Sequence, residues 1–132
     1  RMEAIAPHWM TGCTLRPCAF LPTFHKHVGQ LCHGIQIHTD GSSYDHNTFR
    51  PYRLIQLYLR AVRELHPTYE IWRDHAYEYT EGLLPVDVID GGPGLREWVD
   101  DPSRTAEERD VVLRTDERAW EEERREILLY PV

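Results

Sequence analysis

Residues 33–39 read His33-Gly34-Ile35-Gln36-Ile37-His38-Thr39, in which apolar and polar residues alternate. An alternation with a period of two predicts a β-strand, because successive side chains of a strand point to opposite faces. Ile35 and Ile37 are therefore expected on a buried face, and Gln36 and His38 on the solvent-facing side. The fold is expected to be organised around a sheet that contains this strand.

Weaker strand signals flank this stretch on both sides. Residues 14–20 also alternate, but Pro17 cannot donate to a ladder, which predicts an edge or irregular strand. The run Asp40-Gly41-Ser42-Ser43 predicts a turn after the strand of residues 33–39. Tyr77 and Tyr79 indicate a possible minor strand, and residues 127–130 fit either a last turn or a closing strand.

Helix signals dominate the rest of the chain. Pro51 fits the first turn of a central core helix that ends at His66-Pro67, and a short helix follows the glycine-rich residues 91–94. Thr105-Ala106-Glu107-Glu108 has the pattern of a capping box and opens a long, charged helix. The apolar residues expected to be buried are Leu54, Ile55, Tyr58, Val62 and Leu65 in the central helix, Leu95 and Trp98 in the short one, and Val112, Ala119 and Trp120 in the long one.

Together these elements predict an α+β fold, a small mixed β-sheet covered by a central helix and a long charged C-terminal helix. The 132 residues suffice for one core, and the composition, 41% hydrophobic and 28% charged, is that of a folded domain. Residues 1–12 lack periodicity and are read as a boundary or linker segment. Residues 13–132 are expected to form a single domain.

Charge is distributed unevenly along the chain. Residues 1–66 carry seven Lys or Arg against four Asp or Glu, a balance of +3, and seven of the eight His. Residues 67–132 carry eight Arg against eighteen acids, a balance of −10. The net charge of −7 argues against a nucleic-acid partner, and no apolar run approaches the roughly 20 residues of a membrane span. The basic, His-rich half is where an anionic ligand is expected.

The chemically richest stretch lies between Phe20 and Asp40, and three interpretations of it are open. A zinc site would use His25, His27, Cys32 and His38, but their spacing departs from that of known structural sites, so no metal and no cofactor are expected. A Cys32 nucleophile beside His33 is disfavoured, because neighbours on a strand face apart. The third interpretation is a ligand-binding wall of Lys26, Gln36, His38 and Asp40, a pattern that equally fits an ordinary exposed sheet face.

The chain resembles a bacterial family through an ordered series of matches. They are Arg16-Pro17, Phe20-x-Pro22-Thr23-Phe24-x-Lys26-x-x-Gly29-x-x-Cys32-x-Gly34, His38, Phe49-Arg50-Pro51, His66-Pro67, Leu84-Pro85-Val86-Asp87, Leu95-Arg96 and Leu128-Leu129-Tyr130. In this series the sequence is similar to the C-terminal domain of the peptidoglycan exo-β-N-acetylmuramidases, the NamZ family. The resemblance extends from near Gly12 to Tyr130.

The resemblance implies a glycoside hydrolase that removes terminal N-acetylmuramic acid from peptidoglycan fragments during cell-wall recycling. It implies a Rossmann-like N-terminal catalytic domain, absent from this chain, and a substrate cleft that the present domain helps to form. It assigns no catalytic residue to this chain, and the isolated domain is expected to be inactive alone. Lys26, His38, Thr23, Gln36 and Asp40 are the expected substrate-binding residues. The structural motif comprises Pro22, Gly29, Cys32 and Gly34.

The expected partners are a muropeptide or amino-sugar ligand and the N-terminal catalytic domain. The resemblance implies a bacterial protein of the cell envelope or one that is secreted, with a cytoplasmic location left open. The alternative function is a stand-alone carbohydrate-binding or protein-interaction module without catalysis. An exposed apolar patch would favour the hydrolase interpretation, because lone soluble domains rarely carry large ones.

Overall fold

The computed structural model describes residues 1–130, so that Pro131 and Val132, the last residues of the predicted domain, lie outside the described part. The chain divides into two compact units, Arg1–Tyr58 and Leu59–Val132. In chain order the elements are α1 Met2–Ile5, a 3₁₀ turn Pro7–Met10, β1 Thr14–Phe20, β2 Cys32–His38, α2 Pro51–Leu65, α3 Pro85–Asp90, α4 Gly94–Asp100, α5 Ala106–Glu123 and a 3₁₀ turn Arg124–Glu126.

Both predicted strands form, and they pair with each other. β1 and β2 are antiparallel over their whole length, from Thr14 opposite His38 to Phe20 opposite Cys32. The α+β class is confirmed. Within the described residues the sheet has only these two strands, so it is antiparallel rather than mixed.

The burial of β2 differs from the expected alternation. Ile35 and Ile37 are half-buried rather than fully buried, whereas Gln36 is exposed as expected. His38 was expected to face solvent, but only 22% of its side chain is exposed. Ile35 and Ile37 lie opposite Pro17 and Leu15, so one face of the ribbon is apolar, and two strands alone are too narrow to bury it fully.

Residues 1–12 are folded, although their sequence shows no periodicity. Ala6 and Trp9 are buried, with 0% and 2% of their surface exposed. Gly12 then adopts a left-handed backbone with φ of +75°, and its carbonyl accepts a hydrogen bond from the Asp45 amide at 3.1 Å. The segment therefore belongs to the first unit.

The central helix α2 has the predicted bounds but a different buried face. Leu54, Leu57 and Ala61 are buried, whereas Ile55 and Leu65, expected in the core, are 45% and 61% exposed. The same face also buries polar residues, Arg53, Gln56 and Arg60. An apolar stripe could not reveal this face, because arginine is buried only where partners satisfy its guanidinium.

Arg60 finds those partners at the C-terminal end of α4. Its Nη1 donates to the carbonyls of Trp98 at 2.5 Å, Val99 at 3.3 Å and Asp101 at 2.7 Å. Its Nε donates to Glu64 at 2.9 Å, and the guanidinium lies 5.4 Å from the centre of the Trp98 ring. Carbonyls at a helix end lack intrahelical partners, so Arg60 acts as a cap supplied by another helix.

Helices α3 and α4 are joined through an ion pair. Arg96 donates from Nη2 to Asp87 Oδ2 at 2.7 Å and from Nε to Oδ1 at 2.9 Å, a bidentate arrangement. The hydrogen bond to Asp87 raises the pKa of Arg96 above its ordinary value. Gly91 ends α3 with a φ of +82°. The Asp87 carboxylate thus has its partner on the next helix.

The second unit departs from the predicted burial and strands at three places. In α5 the buried residues are Ala106, Arg109 and Leu113, whereas Val112 and Trp120 of the predicted stripe are 48% and 53% exposed. Tyr77 makes a single bridge with Thr80 instead of a minor strand. Residues 127–130 follow a 3₁₀ turn and form no closing strand.

The capping box of α5 forms as predicted and provides a stability test. Thr105 Oγ1 accepts from the Glu108 amide at 3.2 Å, and Glu108 Oε2 accepts from the Thr105 amide at 2.8 Å. Thr105→Ala is expected to lower the free energy of unfolding by about 1 kcal/mol, measured by urea denaturation. The matched control is Thr115→Ala, since that hydroxyl donates to the Val111 carbonyl within the same helix. A loss at Thr115 as large as that at Thr105 would contradict the capping role.

Candidate functional site

The predicted ligand-binding residues lie on the β1–β2 hairpin and just after it. Thr23 and Lys26 are exposed in the loop of residues 21–31 that joins the strands. Gln36 and His38 lie on β2, and Asp40 lies two residues beyond its end. The hairpin therefore carries all five residues, but not at one place.

His38 and Asp40 are brought together. Nδ1 of His38 lies 3.6 Å from Oδ1 of Asp40, whose side chain is 84% exposed. The other ring nitrogen, Nε2, is buried and has no hydrogen-bond partner among the described residues. The Thr14 hydroxyl, opposite His38 in the register, is hydrogen-bonded to the Ser43 hydroxyl at 2.5 Å. The turn after β2 is thus tied back to β1, which fixes Asp40 beside His38.

The register adds a residue that the sequence analysis did not select. Arg16 lies directly opposite Gln36, and residues opposite each other in an antiparallel pair share a face. Both side chains are exposed. His38 follows Gln36 by two residues and so lies on this face as well. Alignment of the two predicted strands as a hairpin would place Arg16 on this face.

Thr23 and Lys26 belong to the other end of the hairpin. The loop begins after Phe20 and returns at Cys32, six residues before His38. At roughly 3.3 Å per residue, the base of the loop is about 20 Å from His38. The predicted wall is therefore two groups, one at the loop and one at the far end of the strands.

The loop around Lys26 has an unusual backbone. His25 and His27 have φ of +58° and +57°, the left-handed region that few non-glycine residues occupy. Gly29 also has a positive φ, +73°, and its amide donates to the Pro22 carbonyl at 3.0 Å. Pro22 and Gly29, two residues of the expected structural motif, thus close the loop on itself.

The other two motif residues occupy the start of β2. Cys32 is half-buried, and its Sγ donates to the Gln30 carbonyl at 3.5 Å. Gly34 lies opposite Cys18, where an added β-carbon would make ordinary contacts at 3.9 Å with Cys18 Sγ and Phe20 Cε1. All three cysteines are free thiols. Burial raises the pKa of the Cys13 thiol.

The four residues of the zinc interpretation are not assembled. His25 and His27 are in the loop, Cys32 begins β2, and His38 ends it. Across residues 1–130, no group of three or more His, Cys, Asp or Glu side chains is arranged to hold a metal ion. The hairpin offers hydrogen-bond donors and acceptors rather than a ligand set.

The loop also exposes apolar surface. Its flanks and tip carry side chains that are more than half exposed, namely Phe20, Leu21, Phe24, Val28 and Leu31. The Phe24 ring packs edge-on against His25, with centroids 5.2 Å apart. Among the described helices, none combines the length and apolar character needed to cross a bilayer.

Comparisons with known proteins identify a family to which the chain is similar. The family described as "Exo-beta-N-acetylmuramidase NamZ, C-terminal" matches residues 1–130. A relative, the peptidoglycan beta-N-acetylmuramidase NamZ of Bacillus subtilis (strain 168), is 33% identical over 58 residues, which make up 44% of this chain and 13% of the relative. No solved structure matches the chain. Because the family match covers nearly all of its length, the chain belongs to the family of NamZ C-terminal domains.

Proposed function

We propose that this chain is the C-terminal part of an exo-β-N-acetylmuramidase that removes terminal N-acetylmuramic acid from peptidoglycan fragments. Family membership supports the class of reaction, and the name of the Bacillus relative supports peptidoglycan as the polymer that is cleaved. The relative is much longer than the aligned part, which agrees with a separate catalytic domain in the parent. Secretion or attachment to the cell envelope, where peptidoglycan is found, is part of the same proposal.

The observation that carries a role in substrate binding is the shared face of Arg16, Gln36 and His38, with Asp40 beside it. N-acetylmuramic acid differs from N-acetylglucosamine by a lactyl ether that bears a carboxylate. The Arg16 guanidinium suits that carboxylate, and Gln36 and Asp40 suit the amide and hydroxyl groups of a sugar. His38 has its Nε2 enclosed and its Nδ1 towards Asp40, so its role is to orient Asp40.

The chemistry itself is assigned to the part of the parent outside this chain. Glycoside hydrolysis uses two carboxyl groups that flank the scissile bond. Residues 14–39, which form the two strands and their loop, contain no Asp or Glu, and Asp40 is the carboxylate that follows them. We therefore assign this chain to substrate binding and leave acid and base catalysis to the N-terminal domain.

An NMR titration of the 132-residue chain tests the binding role. N-acetylmuramic acid should shift the amides of Arg16, Gln36 and Asp40, and N-acetylglucosamine should shift them far less. Arg16→Gln should weaken binding about tenfold, since a hydrogen bond between charged groups contributes roughly 1.5–3 kcal/mol. Arg114→Gln is the matched control, because Arg114 is an exposed arginine of α5 that pairs with Asp110. Equal affinity in Arg16→Gln, or no shifts at about 10 mM sugar, would overturn the assignment.

The exposed apolar loop fits docking of the N-terminal domain under the first proposal, and the same surface would serve the alternative, an interaction module without catalysis. Its five large apolar side chains form a surface that fits a protein partner better than a polar glycan. Arg16→Gln in the complete parent enzyme separates the two candidates. A rise in KM for muropeptides supports the substrate role, whereas unchanged kinetics support the interaction module.

A further inference from the structure

Gly34 lies in the middle of β2, where glycine is an unfavourable residue. β1 and β2 pair without a break, and Gly34 lies opposite Cys18 within that ladder. A glycine inside a strand lowers its stability, because it has no side chain to pack and loses more backbone freedom on folding than any other residue. Its presence is usually explained by a bulge, by a special backbone angle or by the close approach of another group.

The hairpin itself does not require glycine at this position. The one-to-one register leaves no extra residue on either strand, so there is no bulge at Gly34. Its φ lies outside the left-handed region, unlike those of Gly12 and Gly29. An added β-carbon would lie 3.9 Å from Cys18 Sγ and from Phe20 Cε1, which is ordinary van der Waals contact. Alanine would therefore fit here, and the remaining explanation is the approach of a group from outside the described chain.

The missing side chain leaves a notch in the row of side chains on this face. Gly34 is half-buried, and the Cys18 sulfur and the edge of the Phe20 ring border the position that a β-carbon would take. Apart from the adjacent residues of β2, no other described atom lies within 4 Å of that position, so the chain leaves the notch unfilled. Sulfur and an aromatic ring are apolar neighbours. The notch therefore fits a methyl group better than a charged or polar group.

The notch adjoins the polar groups that the proposed function assigns to the sugar. Strand residues two apart share a face and lie roughly 7 Å from each other. The pair of Arg16 and Gln36 is therefore next to the pair of Cys18 and Gly34 on that face. In N-acetylmuramic acid the acetamido group and the lactyl ether are attached to neighbouring ring carbons. A sugar whose carboxylate lies at Arg16 can thus place its acetyl methyl at the notch.

We propose that the notch at Gly34 binds the acetyl methyl of the amino sugar and so selects N-acetylmuramic acid over muramic acid. The proposal rests on the proposed function, because the contact between Arg16 and the carboxylate orients the sugar. The methyl packs over the Gly34 backbone, beside the Cys18 sulfur and the edge of the Phe20 ring. Muramic acid has a charged amine instead, which gains nothing from apolar neighbours. A residue larger than glycine would fill the notch and exclude the acetyl group.

NMR titration of the 132-residue chain with both sugars tests the notch. The unmodified chain should bind N-acetylmuramic acid more tightly than muramic acid. Gly34→Ala should weaken the binding of N-acetylmuramic acid about fivefold and leave that of muramic acid unchanged, because its own methyl group fills the notch. The charge difference between the two sugars is the same for both proteins and cancels in this comparison.

Gly92→Ala is the matched control for the titration. Its φ is not left-handed and no atom lies within 4 Å of its β-carbon position, so the same substitution there should leave both affinities unchanged. Urea unfolding of Gly34→Ala provides a second readout. Alanine fits the backbone and its surroundings, so the midpoint should stay the same or rise. A lower midpoint would assign Gly34 to the fold and overturn the proposal.

The outcomes distinguish this proposal from the proposed function. A smaller preference for the acetylated sugar in Gly34→Ala supports the notch. An unchanged preference overturns it, and if Arg16→Gln still weakens binding, the proposed function stands. If N-acetylmuramic acid does not bind the unmodified chain at all, both proposals are wrong.

Discussion

Replacing Arg60 with alanine is expected to lower the free energy of unfolding by about 3–4 kcal/mol. The substitution removes one guanidinium that serves three carbonyls at the end of α4, and the side chain is only 4% exposed. Alanine has no side-chain donor that could satisfy those carbonyls. The Trp98 ring would also lose the cation above it. The measurement is the midpoint of urea and thermal unfolding, where a loss of this size corresponds to roughly 10–15 °C.

Two further variants show whether geometry or charge carries the effect. Arg60→Lys keeps the charge but cannot donate to the carbonyls and to Glu64 through one planar group, so it should recover only about half of the loss. Arg114→Ala removes an exposed arginine paired with Asp110 and should change stability by less than about 0.5 kcal/mol. Full recovery by lysine would show that charge alone is needed.

Gly12→Ala is expected to cost about 2–4 kcal/mol, again by urea denaturation. An added β-carbon would lie 2.6 Å from the Phe49 amide nitrogen and 2.7 Å from the Asp45 carbonyl oxygen, both backbone atoms. Those atoms belong to a closed turn, in which the Phe49 amide donates to the Asp45 carbonyl at 2.9 Å. The Asn47 amide donates to the Asp45 carboxylate and so lowers the pKa of that group. A turn tied this way cannot move aside cheaply.

Gly29→Ala is the matched control for this prediction. Gly29 has nearly the same φ, +73°, but no atom lies within 4 Å of its β-carbon position. Alanine there should cost only the left-handed backbone penalty, about 1 kcal/mol. Similar losses at both glycines would mean that the backbone angle, rather than the close approach at Gly12, determines the cost.

Local patterns predicted both strands and helices α2, α4 and α5, but not how these elements bury their surfaces. The alternation around Ile35, the proline at position 51 and the capping box at Thr105 each specify an element through neighbouring residues, and all three elements are present. The buried face of α2 depends on carbonyls of a helix that lies 38 residues away in sequence. Hydropathy assigns arginine to the surface, so it could not predict Arg60 in the interior.

In the candidate site, too, local patterns predicted single elements but not how they pair. Composition identified the His-rich stretch between Phe20 and Asp40, and the period of two placed Gln36 and His38 on one face. The register that puts Arg16 beside Gln36 requires the pairing of two strands, which neither strand specifies by itself. Lys26 was grouped with His38 by nearness in sequence, although the extended strand carries them apart.

The placement of the tryptophans gives each unit its own optical reporter. Trp9 is the tryptophan of the first unit and is 2% exposed, whereas Trp72, Trp98 and Trp120 belong to the second. An enclosed indole emits at shorter wavelengths than one in water. A Trp9→Phe chain would therefore report by fluorescence on residues 59–132 alone. The difference between its fluorescence and that of the unmodified chain would report on the unfolding of residues 1–58 in the same experiment.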